Sequence, residues 1–208
     1  MILIGQYDSP FVRRVAIAMT LLGVAYEHRP WSVFGNAAEI QRYNPLIRVP
    51  TLVLDDGTAL VESGSILDYL DHRVGPARAL LPADEPTRHL ALRITSLATG
   101  LGEKAVSLFY EQRLHAQVSP VWVDRCRSQI AATLGVLEAD RAARPQPHWF
   151  GERIGHADIA VAAVLRFLSE AHPGLVAMAE YPALQAHARA CEALPVFQQI
   201  QQPFIPPS

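Results

Sequence analysis

A serine hydroxyl at the start of a helix is the first group in this chain that could do chemistry. Ser9 lies between a short apolar strand and a segment of helical periodicity, so its hydroxyl is close to the helix N-terminus. A hydroxyl donor and a helix N-terminus both favour a bound anion such as a thiolate. Lowering a thiol pKa by about 2 units from its reference value requires roughly 2.7 kcal/mol of differential stabilisation. Ser9 is therefore a candidate thiol activator, and a plain N-cap is the alternative.

Two dipeptides further along the chain could hold a short anionic peptide. Val49-Pro50 leads into a strand, where a cis peptide bond would turn a backbone edge outward for strand addition. An ordinary trans proline is the alternative there. Glu62-Ser63 stands directly before a helix, where Ser63 either caps the helix or joins its free N–H groups in an anion site. Glu62 could receive an α-ammonium group.

The elements that must position these residues follow from apolar spacing and turn signals. A capping-box pattern at Asn36 and Glu39 predicts a short helix, and Asp56-Gly57 predicts a tight turn between two strands. The resulting order, β-α-β-α-β-β-α, resembles that of a thioredoxin-like module. Its predicted elements are strand 1–6, helix 11–22, strand 25–33, helix 36–43, strands 50–57 and 58–61, and helix 63–74.

The rest of the chain is predicted to be helical. The sequence indicates a thioredoxin-like domain over residues 1–78, a proline-rich linker over 79–86 and an all-helical domain over 87–208. The fold class is therefore α/β plus all-α, with a C-terminal helical bundle. The predicted helices cover 87–115, 120–141, 156–171 and 182–194, and the proline-rich tail from residue 201 should form no regular structure.

Composition excludes several classes of function. The chain has 208 residues, a formal net charge of −2 and 18% charged residues, so it offers no basic surface for nucleic acid. No apolar run approaches the length that spans a bilayer or forms a secretory signal, which indicates a soluble cytoplasmic protein. The two cysteines, Cys126 and Cys191, are too far apart for a disulfide framework or a zinc motif and are predicted to be buried.

Four sequence motifs, in order and suitably spaced over nearly the whole chain, together resemble the bacterial, serine-type members of the cytosolic glutathione S-transferase family. They are Ser9-Pro-Phe-Val-Arg-Arg-Val15, Asn44-Pro-Leu-Ile-Arg-Val-Pro-Thr-Leu52, Glu62-Ser-Gly-Ser-Ile66 and Gly151-Glu-Arg-Ile-Gly-His-Ala-Asp-Ile159. The resemblance implies that Ser9 activates the thiol of glutathione. Tyr7 is its rival, because several classes of the family use a tyrosine near the end of the first strand.

The resemblance also implies how glutathione is held. Val49 would pair its backbone with the cysteinyl moiety, and Pro50 would be cis. Glu62 and Ser63 would hold the γ-glutamyl end, and Arg48 would face the glycyl carboxylate. The implied glutathione-binding set is Phe11, Arg48, Val49, Pro50, Glu62 and Ser63.

The implied activity is transfer of alkyl or aryl groups to glutathione, by attack of its thiol on an apolar electrophile. Alternatives are a glutathione-dependent isomerase or dehalogenase, and a glutathione-binding or scaffolding protein without catalysis. The resemblance further implies a homodimer. The eight histidines show no HExxH or similar spacing, so no metal site is predicted. Side chains that could line the co-substrate pocket, or simply pack helices, are Phe109, Tyr110, Arg113 and Trp122.

Three local features bear on these expectations. Members of the family that catalyse thiol-disulfide exchange keep a cysteine where Ser9 stands, so reductase activity is disfavoured here. Gly155 stands where the family usually has a Ser or Thr cap, which weakens that helix start. His156 is predicted to be a surface residue, and Gly100-Leu-Gly102 falls within a helical pattern rather than in a dinucleotide-binding loop.

Overall fold

The computed structural model describes residues 1–206, and its N-terminal part, up to Val74, contains the predicted order of elements. A four-stranded sheet has the order β2-β1-β3-β4, with β1 and β2 parallel and the other pairs antiparallel. The elements are β1 (Ile2–Ile4), α1 (Pro10–Leu21), β2 (Glu27–Arg29), α2 (Ala37–Gln41), β3 (Thr51–Val53), β4 (Ala59–Val61) and α3 (Ser63–Val74). The thioredoxin-like prediction is confirmed, although every strand is shorter than predicted because each pairs over only three residues.

One predicted local contact is wrong. The Asn36 side chain does not cap α2, because its Oδ1 accepts a hydrogen bond of 3.2 Å from the backbone N–H of Ser32. Asn36 therefore closes the turn that precedes α2 instead of satisfying the first N–H groups of that helix.

The C-terminal part is helical, as predicted. Its helices are α4 (Glu85–Leu114), α5 (Pro120–Ala142), α6 (His156–Ala171), α7 (Pro182–Glu192) and α8 (Pro195–Gln199), with a 3₁₀ turn at Met178–Glu180. Gly100 and Gly102 lie inside α4, and both cysteines are buried and free. Residues 201–206 form neither helix nor strand, and Pro207 and Ser208 lie outside the described residues. Within residues 1–206, no helix is long and apolar enough to cross a membrane.

Helix α6 joins the N-terminal and C-terminal parts, since its side chains enter two apolar cores. Val161 and Leu168 pack among α4, α5 and α7, whereas Ile159 and Ala162 pack against α1 and α3. Only one residue of this helix before its last turn, Arg166, escapes full burial. The helix predicted over residues 156–171 is therefore confirmed, and it is buried along most of its length.

The N-terminus of α6 explains why glycine replaces the expected cap residue. A β-carbon on Gly155 would lie 2.8 Å from the carbonyl oxygen of Leu80, so the close approach of the linker excludes a larger residue. The carboxylate of Asp158 accepts hydrogen bonds from the N–H groups of Gly155 at 2.9 Å and Trp149 at 2.7 Å. Asp158, at the third position of the helix, thus forms the half of a capping box that needs no side chain on the cap residue.

His156 is not on the surface, contrary to the prediction. It is 7% exposed, and its Nε2 lies 3.1 Å from a carboxylate oxygen of Asp71 on α3. The same carboxylate accepts hydrogen bonds from the N–H groups of Leu80 and Leu81, each at 3.0 Å. This cluster ties α3, the linker and α6 together.

Candidate active site

The sheet brings the predicted site residues to one of its ends. Ile4 at the end of β1 pairs with Thr51 at the start of β3, and Thr51 pairs with Val61 at the end of β4. Ser9 follows β1, Val49-Pro50 precedes β3 and Glu62 follows β4 directly. The strand register therefore places the three segments side by side.

Ser9 is the N-cap of α1. Its Oγ accepts a long hydrogen bond of 3.4 Å from the N–H of Val12, and Pro10 occupies the first helical position. The hydroxyl, which is half-buried, donates its proton to no group among residues 1–206. A donor at a helix N-terminus is therefore free to meet an anion.

Tyr7, the rival to Ser9, has its hydroxyl engaged elsewhere. Its oxygen lies 2.9 Å from the hydroxyl oxygen of Tyr26, and its ring stacks on that of His28 with centroids 3.9 Å apart. Burial raises the pKa of Tyr7 above its ordinary value, and the Tyr26 contact raises that pKa further. Its proton is therefore held more tightly than that of a free tyrosine.

The peptide bond between Val49 and Pro50 is cis, as the resemblance implied. The buried side chain of Asn44 holds the loop that leads to it, by donating to the carbonyl of Arg48 at 2.9 Å and to Oγ1 of Thr51 at 3.1 Å. The N–H and C=O groups of Val49 have no hydrogen-bond partner among residues 1–206. An extended peptide could pair with them.

Gly5 lets this loop approach α1. Its φ is +129°, a conformation that disfavours residues with a side chain. A β-carbon there would lie 2.4 Å from a methyl carbon of Val12 and 2.8 Å from the β-carbon of Val49. The sequence did not predict a role for Gly5, because nothing near it in the sequence shows that the side chains of Val12 and Val49 meet it in the fold.

At the third segment Glu62, rather than Ser63, caps α3. The Glu62 carboxylate accepts hydrogen bonds from the N–H groups of Gly64 at 2.8 Å and Ser65 at 3.3 Å. Ser63 is 1% exposed, and its hydroxyl donates to Glu62 at 3.1 Å. Glu62 is exposed and has a φ of 72°, a strained backbone that is typical of functional sites.

The other two residues of the glutathione-binding set face α4. Arg48 pairs with Glu103 at 2.7 Å, and both side chains are at least half exposed. The Phe11 ring, which is half-buried, lies close to Gly102. Arg48 and Phe11 thus lie between the sheet end and the helical domain.

Two of the four predicted pocket residues, Phe109 and Tyr110, contact each other edge to face, with ring centroids 6.3 Å apart. Tyr110 meets Phe34 edge to face at 5.6 Å, whereas Phe109 contacts Phe204 at 5.0 Å. Trp122 instead donates to Ser107 at 3.3 Å and lies under the ammonium group of Lys104. Arg113 is exposed on α4 and makes no hydrogen bond or ion pair with the described residues.

The C-terminal tail, which sequence reasoning left without a role, reaches the turn beside Ser9. The N–H of Ile205 donates to the carboxylate of Asp8 at 3.1 Å, and the N–H of Phe204 donates to Glu170 at 2.9 Å. Burial raises the pKa of Asp8, whereas the hydrogen bond from Ile205 lowers it. The sequence offered one sign of this contact: the tail is rich in proline but also carries two apolar side chains, Phe204 and Ile205.

Within residues 1–206, no group of three or more His, Cys, Asp and Glu side chains has an arrangement that could hold a metal ion. The candidate site therefore consists of a hydroxyl group, a free backbone edge, a carboxylate and a surface cation.

The chain belongs to the glutathione S-transferase family. Residues 3–78 match the model of the family's N-terminal domain and residues 120–190 match that of its C-terminal domain. The GST-like protein YibF of Escherichia coli is 34% identical over 65% of this chain and 67% of its own length. Maleylacetoacetate isomerase of Pseudomonas aeruginosa is 29% identical over 93% of this chain and 92% of its own length.

Solved structures of the family superimpose on nearly the whole chain. A glutathione S-transferase of Methylobacterium radiotolerans, in complex with glutathione sulfonate, has a TM-score of 0.88 and 31% identity, covering 100% of this chain and 98% of its own. A family member from Pseudomonas fluorescens with bound glutathione has a TM-score of 0.82 and 29% identity, covering 98% and 99%. Both share the two-part fold described above.

Proposed function

We propose that this chain is a glutathione transferase in which Ser9 holds the thiolate of bound glutathione. The observation that carries the proposal is the contrast between two hydroxyl groups. The Ser9 hydroxyl lies at a helix N-terminus and donates to no described residue, whereas the Tyr7 hydroxyl is bonded to Tyr26. Solved relatives with bound glutathione sulfonate and with bound glutathione support the choice of ligand.

The other contacts with glutathione would come from residues at the same end of the sheet. The free backbone groups of Val49 would pair with the cysteinyl residue of glutathione, and Arg48 would turn from Glu103 to the glycyl carboxylate. Exchange of Arg48 between two carboxylates costs little, because its pair with Glu103 is exposed to water. Glu62 would take the α-ammonium group of the γ-glutamyl residue.

The chemistry is then substitution or addition at an electrophilic carbon. Hydrogen bonding from Ser9 and the potential of α1 favour the thiolate, whose electron pair forms the new C–S bond. In a substitution, the leaving group departs with the electron pair of the bond that breaks. In an addition to an enone, the π electron pair moves to the oxygen, and the product takes up a proton from water. Phe34, 46% exposed, and Tyr110 offer an apolar surface for such a co-substrate.

A conjugation assay with a panel of aryl halides, alkyl halides and enones tests the proposal. We expect turnover on at least one of them, and a loss of tenfold or more in kcat/KM for Ser9→Ala. Tyr7→Phe is the matched control, since it also removes one hydroxyl and should retain most of the activity. Binding of glutathione without turnover on any electrophile would instead support a non-catalytic binding protein.

A glutathione-dependent isomerase is the second candidate. The similarity to maleylacetoacetate isomerase extends over 93% of this chain, which favours it. In that reaction class the thiolate adds to a double bond and leaves again after rotation, so glutathione is not consumed. Product analysis with a cis-enedione separates the two: isomerised product with constant glutathione indicates the isomerase, and a glutathione adduct indicates the transferase.

We also propose that the protein is a homodimer that acts in the cytoplasm. Leu90 and Leu92, on α4, are 44% and 42% exposed, and Leu92 borders a groove between α3 and α4 that a second copy could cover. The cytosolic glutathione pool would supply the co-substrate. Light scattering should give twice the 22.9 kDa mass of the chain.

A further inference from the structure

A cavity lies where the N-terminal and C-terminal parts of the chain meet, apart from the candidate active site. Its volume is about 600 Å³, which is within the range of cavities that bind small molecules. Four segments form its wall: the end of α1, the segment between α3 and α4, the loop before α6 and the start of α8. Ser9, Val49, Pro50 and Glu62 do not border it.

The apolar part of the wall is aliphatic and partly open to solvent. Leu21, at the end of α1, is 39% exposed, and Leu194 and Val196, at the start of α8, are half-buried. No phenylalanine, tyrosine or tryptophan of residues 1–206 borders the cavity. Such a wall suits an alkyl chain better than a flat ring, because a ring would find no aromatic partner there.

Two exposed cations, Arg78 and Arg153, also line the cavity. Nη2 of Arg78 donates to the carbonyl of Leu22 at the end of α1, and Nη1 of Arg153 donates to the carbonyl of Ala77 at 3.4 Å. Arg153 thus contacts the residue that precedes Arg78 in the chain. Neither guanidinium group makes another hydrogen bond or ion pair with the described residues, so both keep free N–H donors.

The other polar side chains of the wall do not cancel this positive charge. Glu152, exposed beside Arg153, is the one acidic side chain among residues 1–206 that borders the cavity. The ring of His148 borders it as well, with Nδ1 buried and without a hydrogen-bond partner among the described residues. An imidazole adds no negative charge in either protonation state. The wall therefore combines an aliphatic surface with two cations and one carboxylate.

We propose that this cavity binds a medium-chain fatty acid anion, with its carboxylate at Arg78 and Arg153 and its alkyl chain along the aliphatic wall. Guanidinium groups bind carboxylates through paired N–H donors. Burial of the chain supplies most of the affinity, because an ion pair with exposed arginines contributes little. The bound anion would bridge α1 and α8, and its site does not depend on the proposed function.

Calorimetry with octanoate, decanoate and the neutral analogue 1-decanol tests the proposal. We expect one decanoate per chain, bound roughly fivefold or more tightly than octanoate because two more methylene groups leave water. Decanoate should also bind about fivefold more tightly than 1-decanol, which lacks the charge. Saturation with S-hexylglutathione, which would fill the glutathione site and the co-substrate pocket, should change the affinity for decanoate less than about twofold.

Two pairs of variants separate recognition from a general effect on the protein. Arg153→Met should weaken decanoate about fivefold and leave 1-decanol unchanged, because it removes the charge and keeps the apolar length. Arg125→Met, at an exposed arginine of α5 outside the cavity, should change neither. Val196→Ser should weaken both ligands, whereas Val136→Ser, on the exposed face of α5, should weaken neither. Circular dichroism checks that all four variants fold.

Equal affinities for decanoate and 1-decanol, or equal effects of Arg153→Met and Arg125→Met, would overturn the proposal. So would displacement of decanoate by S-hexylglutathione, which would assign the fatty acid to the co-substrate pocket, and so would the absence of binding at millimolar decanoate. Each of these results would leave the transferase proposal standing, since turnover of electrophiles tests it separately.

Discussion

Arg13 and Glu192 form a two-pronged ion pair with N–O distances of 2.5 and 2.8 Å. Arg13 is 2% exposed and also donates to the carbonyl groups of Phe197 at 3.0 Å and Ile200 at 2.8 Å. Since Arg13 belongs to α1 and Glu192 ends α7, the pair fastens the helix that Ser9 caps to the C-terminal domain. The position of the candidate thiol activator thus depends on a contact 179 residues apart in sequence.

Removing the acidic partner should destabilise the whole protein. Glu192→Ala would leave the Arg13 guanidinium buried without its counter-ion, so we expect a loss of about 2–4 kcal/mol in the free energy of unfolding. Urea denaturation measures this loss. Glu103→Ala breaks the exposed pair with Arg48 and should cost about 0.5 kcal/mol or less. Equal costs for the two variants would mean that the Arg13 pair contributes no more than a surface contact.

Adding one methyl group at Gly5 should disturb both the fold and the site. In Gly5→Ala the new carbon would overlap Val12 and Val49, and the residue would keep a φ that disfavours a side chain. We expect a loss of about 3 kcal/mol and weaker glutathione binding, because the backbone edge of Val49 moves. Gly57→Ala is the control: its φ is +88° but its surroundings are open, so about 1 kcal/mol and normal binding are expected. Unchanged glutathione affinity in Gly5→Ala would contradict the proposed role of the Val49 edge.

Buried His172 should make the protein sensitive to mild acid. Burial lowers its pKa below the ordinary value of 6.5, although the hydrogen bond to the carbonyl of Ala105 raises it in part. The unfolded chain binds a proton here at a higher pH than the folded chain does, so stability is present above pH 6.5 and declines below it. We expect a shallower decline between pH 7 and pH 5 in His172→Gln, measured by urea titrations along the pH range. If the free energy of unfolding declined equally with falling pH in wild type and in His172→Gln, His172 would not be a source of the acid sensitivity.

The C-terminal tail should affect the co-substrate more than glutathione. Ile205 is bonded to Asp8, next to Ser9, and Phe204 packs on Phe109. A chain truncated after Pro203 would expose this apolar surface, so we expect a severalfold change in KM for bulky electrophiles and little change in KM for glutathione. Steady-state kinetics with electrophiles of graded size measures both constants. A change in KM for glutathione alone would mean that the tail belongs to the glutathione site and not to the co-substrate pocket.

Local sequence signals account for most of the fold and for part of the site. Apolar periodicity gave the helices, and the Asp56-Gly57 turn gave the hairpin, because each is decided within a few residues. The exposure of His156 and the residue that caps α3 were predicted wrongly for the opposite reason, since both depend on more than the local sequence. The partner of His156 is Asp71, 85 residues away, and Glu62 displaced Ser63 as cap through a backbone conformation that its residue type disfavours. The cavity at Arg78 and Arg153 gave no local signal, because only the fold brings together the four segments of its wall.

The pKa of the glutathione thiol in the bound state tests the central claim most directly. Ultraviolet titration of the thiolate in complexes with wild type, Ser9→Ala and Tyr7→Phe measures it. We predict a pKa well below that of free glutathione in wild type and in Tyr7→Phe, and a rise of about 2 units in Ser9→Ala, equivalent to roughly 2.7 kcal/mol. If the thiol pKa in Ser9→Ala were as low as in wild type, and that in Tyr7→Phe were raised, the result would contradict the account and assign thiol activation to Tyr7.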